Sequence, residues 1–198
     1  MGVTVNHQEW FDQQAPQWDE KLPPDVLAKL QALIAKAAIQ HGDVVLDLGC
    51  GTGVLFRWLR ASVGPAGEVV AIDLSGEMLR RARLKGEGVP CLLADGQHLP
   101  SSDTAFDWVV CNAILPHFPD KHQALREIRR VLRPGGQVLI CHPKGRHATN
   151  AIHRSIGGTV GNDLVPDPDQ VRQLLRSAEI DCSAIRDEPD GYEVWAYR

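Results

Sequence analysis

Basic charge is not in excess in this chain. Lys and Arg number 21 against 25 Asp and Glu, a formal net charge of −4. No global field draws it to nucleic acid or to anionic lipid. Basic residues gather locally at RRARLK and REIRRVLR, but apolar residues interrupt both, as on a solvated helix face. There is no CxxC pair. The five cysteines (Cys50, Cys91, Cys111, Cys141, Cys182) are odd in number and lie in or beside apolar segments, which speaks for a reducing compartment and against a disulfide framework. The start has no apolar signal core, and no run approaches membrane-spanning length. Met1-Gly2 opens a myristoylation pattern, but Asn6 stands where Ser or Thr is wanted. Repeats, low-complexity tracts and an HExxH are also missing. The expectation is a cytoplasmic protein with no membrane partner. Its 198 residues, 43% of them apolar, suffice for a single domain with a full core, residues 1–198.

The stretch VVLDLGCGTGVL, Val44 to Leu55, organises the rest. Val44, Val45, Leu46 and Leu48 make an apolar run too short for a helix, so they read as a buried parallel strand. Asp47 falls at its end, where an open α/β sheet places its ligand crevice. Gly49, Gly51 and Gly53 then alternate through a tight turn that lets a ligand lie on the backbone. From Val54 the spacing becomes helical, so the turn opens a helix whose first N–H groups face the ligand. The pattern is D-x-G-x-G-x-G, without the G-x-G-x-x-G spacing of a nicotinamide site or a Lys for phosphate. That suits a neutral or cationic group better than a pyrophosphate, although a plain strand-to-helix connection would look similar.

A second strand, EVVAIDLS, ends in Asp73 about twenty residues on, where α/β nucleotide sites place the acid for two ribose hydroxyls. A third, VPCLLAD, ends in Asp95 and is followed by Gly96. With DLGCGTG, AIDLS, LLADGQHLP, FDWVVCNA and VLRPGGQVLI in this order, roughly residues 43 to 140 resemble the class I S-adenosylmethionine (SAM)-dependent methyltransferases. The resemblance implies SAM as cofactor. Asp47 and the glycine turn would hold its amino-acid end and Asp73 its ribose. Leu74 and Met78 would cover the adenine, Asp95 and Gly96 would meet its edge, and Asn112 with Ala113 would line the methionine part. It also implies in-line methyl transfer. The alternatives are a SAM-binding protein without catalysis and, more weakly, a nicotinamide enzyme.

Strand and helix patterns mostly alternate: a helix over 25–40, a strand over 43–48, a helix over 53–61, strand 68–73, helix 75–85, strands 89–94 and 106–112, helix 120–132, strand 136–142 and a helix over 168–178. A terminal hairpin of IDCSAIRD and GYEVWAYR closes the chain. The fold class is therefore α/β, a Rossmann-like doubly wound seven-stranded sheet, mostly parallel with an antiparallel last strand. Residues 1–40 form an N-terminal arm and helix, and FDQQAPQWD resembles the arm that small members of this family fold over the cofactor. Its aromatics would equally well only staple it down.

The acceptor side departs from any standard motif. NAILPHFPD lacks the Asn-Pro-Pro-aromatic run of amino-group methyltransferases acting on nucleic acids and proteins, which favours a small-molecule acceptor and no nucleic acid. Residues 143–167 form an insertion longer than a connection requires, and such loops usually serve function. Asn150 and His153 would share a helix face. His117, His142, His153 and Asp163 are expected to converge above the methyl donor. Three readings stay open: a divalent transition-metal site made by these four, catalytic histidines (His117, His142, His153) acting as base and orienter, or a merely hydrogen-bonded loop. Cys50, Cys111 and Cys141 near the strand ends read as packing. Oligomeric state is not legible.

Overall fold

The computed structural model describes residues 6–198, so the Met1-Gly2 start lies outside the described residues. Seven strands form one sheet: β1 (Val44–Leu48), β2 (Glu68–Asp73), β3 (Cys91–Leu93), β4 (Phe106–Asn112), β5 (Leu132–His142), β6 (Asp181–Glu188) and β7 (Gly191–Tyr197). Their order is β3-β2-β1-β4-β5-β7-β6. β1 pairs in parallel with β2 and β4, as do β2 with β3 and β4 with β5. β7 runs antiparallel to both β5 and β6. This is the doubly wound α/β sheet with an antiparallel last strand that the sequence pattern implied.

Helices cover both faces: α1 (His7–Gln14), α2 (Pro24–Lys36), α3 (Phe56–Val63), α4 (Gly76–Leu84), α5 (Lys121–Val131), α6 (Arg146–Ile156) and α7 (Pro168–Ser177). The period of two along each strand divides the core. Val45, Trp108, Val110 and Leu139 pack with Leu30 and Ile34 of α2 and Leu59 and Val63 of α3. Leu46, Leu48, Val109, Val138 and Ile140 turn the other way, onto α5 and α7. Each fully buried aliphatic side chain contributes about 1.5–3 kcal/mol. A one-residue slip of register would turn every one of them to the wrong layer. The ends of β1, β2, β4 and β5 are therefore fixed relative to one another, and they carry the site.

Four elements differ from the sequence reading by two residues or more at one end or both. α2 does not reach residue 40. Ala37 is already extended, with ψ 129°, and Ala37 and Ile39 bury themselves in the α2–α3 layer from a non-helical chain. Its cap is Pro23 with Pro24 in the first turn, so Asp25 lies inside the helix. α3 begins at Phe56 rather than residue 53, because Gly53 takes φ +77°. β3 is trimmed to three residues. β5 starts at Leu132, and the Pro134-Gly135-Gly136 irregularity lies inside it as a register shift against Phe106 and Trp108.

Candidate active site

Asp73, Asn112 and His142 are the last residues of β2, β4 and β5, and Gly49 follows β1 directly. A cavity of about 550 Å³ opens among them. Its floor is the glycine turn, in which all three glycines have positive φ: +72° at Gly49, +54° at Gly51 and +77° at Gly53. They serve different ends. A Cβ on Gly49 would stand 2.5 Å from Ile114 Cγ1, and one on Gly53 2.6 Å from the Phe56 ring. At Gly51 the nearest atoms, Trp18 Nε1 and Met78 Sδ, would be 3.9 and 4.0 Å away. Gly49 and Gly53 exist for packing; Gly51 leaves open the space above the turn. Gly96 is of the packing kind, since its Cβ would sit 2.7 Å from the Phe118 ring.

Asp73 lines this half, and Asp47 lies buried two residues before Gly49. Loss of solvent, and then the charge of Asp73, push the Asp47 carboxyl up to about 8. Its Oδ2 is buried without a partner among the described residues. Burial also raises the Asp73 carboxyl, against the backbone N–H groups of Ser75 and Gly51, which donate to its two oxygens at 2.8 Å each. The Leu74 N–H also acts on it, and of about four lone-pair sites the carboxylate still keeps acceptor capacity for a further donor. Leu74, Met78, Asp95, Gly96 and Asn112 all line the same cavity. Asp95 accepts from the Gln97 backbone N–H at 2.9 Å; burial pushes its carboxyl up, and hydrogen bonds from Gln97 and His98 more than reverse that.

The roof is the arm, and it holds residues that the sequence reading did not find. α1 buries no side chain, yet it is tied down at several points. Asp12 Oδ1 accepts from Ser75 Oγ at 2.5 Å and from the Glu77 N–H at 3.0 Å, at the start of α4 beside Asp73. Asp19 accepts from Thr52 Oγ1 at 2.5 Å and pairs with Lys85 at 3.1 Å. Phe11 and Trp18 line the cavity, with Phe11 edge-on to both Trp18 and His117. His7 Nε2 lies 2.7 Å from Asp163 Oδ2. A local signal for α1 did exist: Asn6 and Glu9 form a reciprocal capping box, an N-x-x-E variant of the usual helix start. Nothing local marks the partners of His7 or Asp12.

On the acceptor side, His117 ends a 3-10 turn after β4, and its Nδ1 is 2.8 Å from the Asp163 oxygen that His7 also holds. A carboxylate only accepts, so both imidazoles donate to it. Burial holds the His117 imidazole below its usual range despite Asp163, and a neutral His117 in this tautomer keeps its lone pair on Nε2. Burial pushes the Asp163 carboxyl up, and the bonds from His117 and His7 more than reverse that. His153 Nδ1 makes a short contact with the Asp163 carbonyl oxygen. His142 is buried, pushed down to about 3 by burial, and its Nε2 has no partner among the described residues.

The expected convergence thus occurs in part. His117, His153 and Asp163 meet, and His142 shares the cavity. As a ligand set the four do not assemble. Among the described residues, the group whose ligand atoms all lie within 4.8 Å of one another is His7, His117 and Asp163. His153 spends a ring nitrogen on a backbone carbonyl, and His142 belongs to the sheet. Asn150 does share a face of α6 with His153, but its side-chain amide clamps Val165 N and O at 2.7 and 3.2 Å and holds the loop.

Comparison with known proteins agrees with this geometry. A methyltransferase-domain family model matches residues 46–140. The ubiquinone/menaquinone biosynthesis C-methyltransferases UbiE of Ralstonia pickettii and Burkholderia mallei are 34% and 42% identical over 166 residues, 79% of this chain. This chain belongs to the class I SAM-dependent methyltransferases. The match spans 65% of the length of these two relatives. A SAM-dependent methyltransferase of Aquifex aeolicus superposes with a TM-score of 0.77 at 21% identity, covering 92% of this chain and 97% of that one, which shows the fold. The residues of this chain also fit SAM by their own chemistry. Asp73 lines the cavity with acceptor capacity for ribose, Gly51 leaves the backbone bare beside it, and the buried Asp47, with an oxygen unpartnered among the described residues, adds negative potential close to the turn. Among its described residues, no helix is long and apolar enough to cross a membrane.

Proposed function

We propose that this chain transfers the methyl group of SAM to a small, largely apolar acceptor that must lose a proton, with His117 as the base. The observation that carries this reading is a single cavity with two unlike halves. One half has the acids and open turn that suit SAM. The other is walled by Val26, Leu30, Ile114, Phe118 and Ile152 and carries neutral imidazoles. SAM supplies an activated methyl on a sulfonium centre. The acceptor atom bonds to that methyl as the carbon–sulfur bond breaks, and the sulfur leaves as a neutral thioether in S-adenosylhomocysteine. The acceptor's proton passes to His117 Nε2, and Asp163 stabilises the imidazolium through Nδ1. His142 offers the acceptor a neutral polar contact, and His153 positions the loop that carries Asp163. Alignment and exclusion of water by the arm account for much of the remaining rate.

Two relatives bear the name of C-methyltransferases of ubiquinone/menaquinone biosynthesis, so hydroxylated aromatic rings with an activated ring carbon are the first acceptors to try. The His7, His117 and Asp163 cluster would also match a divalent ion by residue type. The shared carboxylate oxygen, with an imidazole donor at hydrogen-bond distance on each side, favours the hydrogen-bonded reading.

The test is calorimetric titration with SAM and S-adenosylhomocysteine, on the native chain and on Asp73→Ala, followed by methyl-labelled SAM with a panel of phenols and quinols. Binding lost in Asp73→Ala together with label transfer supports the proposal. Binding without transfer to any acceptor would favour a SAM-binding protein without catalysis, and no binding to either ligand overturns the reading.

A further inference from the structure

We infer that His7 is a positioning residue for the acceptor side: when the arm closes over the cofactor half of the cavity, it delivers His7 to Asp163 and so sets His117 in place. This rests on the proposed role of His117 and goes beyond it, because it makes the base dependent on a helix more than a hundred residues away in sequence.

The first ground is the geometry of Asp163. One oxygen, Oδ2, takes His117 Nδ1 at 2.8 Å and His7 Nε2 at 2.7 Å. Asp163 lies in an irregular loop between α6 and α7, where its backbone is held by His153 and, two residues on, by the Asn150 clamp on Val165. Its carboxylate, in contrast, is oriented by the two imidazoles. Lys121, which feels the charge of Asp163, donates instead to the Pro116 and Phe118 carbonyls. Without His7, the carboxylate keeps His117 alone and gains an open side toward solvent.

The second ground is the arm itself. α1 is eight residues long and buries none of them, so its place is set by its ends and not by a core. Asp12, about 7.5 Å along the helix from His7 at 1.5 Å per residue, caps the start of α4 next to Asp73. Phe11 lies between, edge-on to His117 at 5.0 Å and to Trp18 at 5.8 Å, and both Phe11 and Trp18 line the cavity. One short helix therefore touches the ribose-side acid's loop at one end and the acceptor-side carboxylate at the other. Ordering it at one end orders the other. An arm that served only to staple the domain would have no need to end on a charged group inside the site.

The experiment compares native protein, His7→Ala, His7→Gln and Asp12→Asn, each with and without saturating S-adenosylhomocysteine. Gln at position 7 places an amide donor close to where Nε2 now sits. The readouts are calorimetric affinity for S-adenosylhomocysteine, hydrogen exchange over residues 6–22, and the imidazole N–H proton of His117 by NMR. Bound to Asp163, that proton is expected to be downfield and protected from exchange. In His7→Ala it should lose at least tenfold of its protection while affinity changes by less than threefold, and His7→Gln should restore it. Asp12→Asn should weaken affinity at least fivefold and lower the protection of residues 6–22 and of the His117 proton together. Unchanged His117 protection in His7→Ala would overturn the inference, as would loss that His7→Gln does not restore. Failure of every variant and the native chain to bind S-adenosylhomocysteine would sink the functional reading instead. The ligand-free effect of His7→Ala on His117 still decides the positioning role.

Discussion

Asp47 and Asp73 lie toward the ends of neighbouring parallel strands, in register through Asp47 opposite Ala71 and Leu48 opposite Ile72; both are desolvated, and Asp73 lines the cavity. The burial of Asp47 dominates, and the charge of Asp73 adds to it, so Asp47 titrates near 8. His142, on β5, shows the opposite behaviour and is held near 3 by burial. Both groups make stability depend on pH. A carboxyl raised from 3.8 stabilises the fold fully below pH 4 and loses that contribution as pH rises toward 8. An imidazole lowered from 6.5 stabilises the fold above about that pH and loses its contribution as pH falls toward 3. Between pH 4 and 6.5 the two slopes oppose each other. The ligand-free protein is therefore expected to show a plateau of melting temperature there, declining on either side. Asp47→Asn should flatten the alkaline decline and His142→Phe the acidic one, as read by thermal unfolding from pH 3 to 9.

The same Asp47→Asn substitution should separate stability from binding. A neutral amide relieves the buried charge, so above pH 8 the ligand-free variant should be more stable than the native chain. It should bind SAM more weakly by tenfold or more, because the buried negative charge two residues before Gly49 is gone. Calorimetry at pH 8 measures the one and denaturant unfolding the other.

The three glycines of the turn should respond differently to alanine. Gly51→Ala meets open space, so its cost is the positive φ alone, about 1–2 kcal/mol. The fold should survive with SAM affinity reduced at least tenfold. Gly49→Ala and Gly53→Ala put a Cβ within 2.5 and 2.6 Å of Ile114 and Phe56 and should lose about 3 kcal/mol or more each. Thermal shift with and without S-adenosylhomocysteine distinguishes the two classes.

Asn150→Ala tests the loop that carries Asp163. It removes both bonds to Val165 and leaves a buried backbone N–H and C=O without their partner, a cost of about 2–3 kcal/mol. Faster proteolysis within residues 157–167 and reduced methyl transfer with near-native SAM affinity are the expected results.

Chelation separates the hydrogen-bonded cluster from a metal centre. If His7, His117 and Asp163 act through their hydrogen bonds, purified protein should contain no stoichiometric transition ion, and EDTA should leave S-adenosylhomocysteine affinity within twofold.

The sequence by itself determined the sheet and the cofactor half. The runs over Val44–Leu48, Glu68–Asp73 and Phe106–Asn112 are apolar at strand length with turn residues after them, and each ends in a group that a parallel sheet must bring to one edge. Local composition is enough there because strand, turn and ligand-facing residue are contiguous. It was not enough to separate the packing glycines Gly49, Gly53 and Gly96 from the open Gly51, because the difference is made by where the side chains of Ile114, Phe56 and Phe118 come to pack. Nor could it show that Ala37 and Ile39 leave the helical path to fill the core, or that Asn150 is spent on Val165. His7 and Asp12 lie furthest from such reading. Their hydrogen bonds span 156 residues to Asp163 and 63 to Ser75, and α1 buries no apolar face that would announce where it docks. Periodicity records which side of an element is buried. It carries no record of which distant polar group a short exposed helix will meet, and only the packed chain decides that.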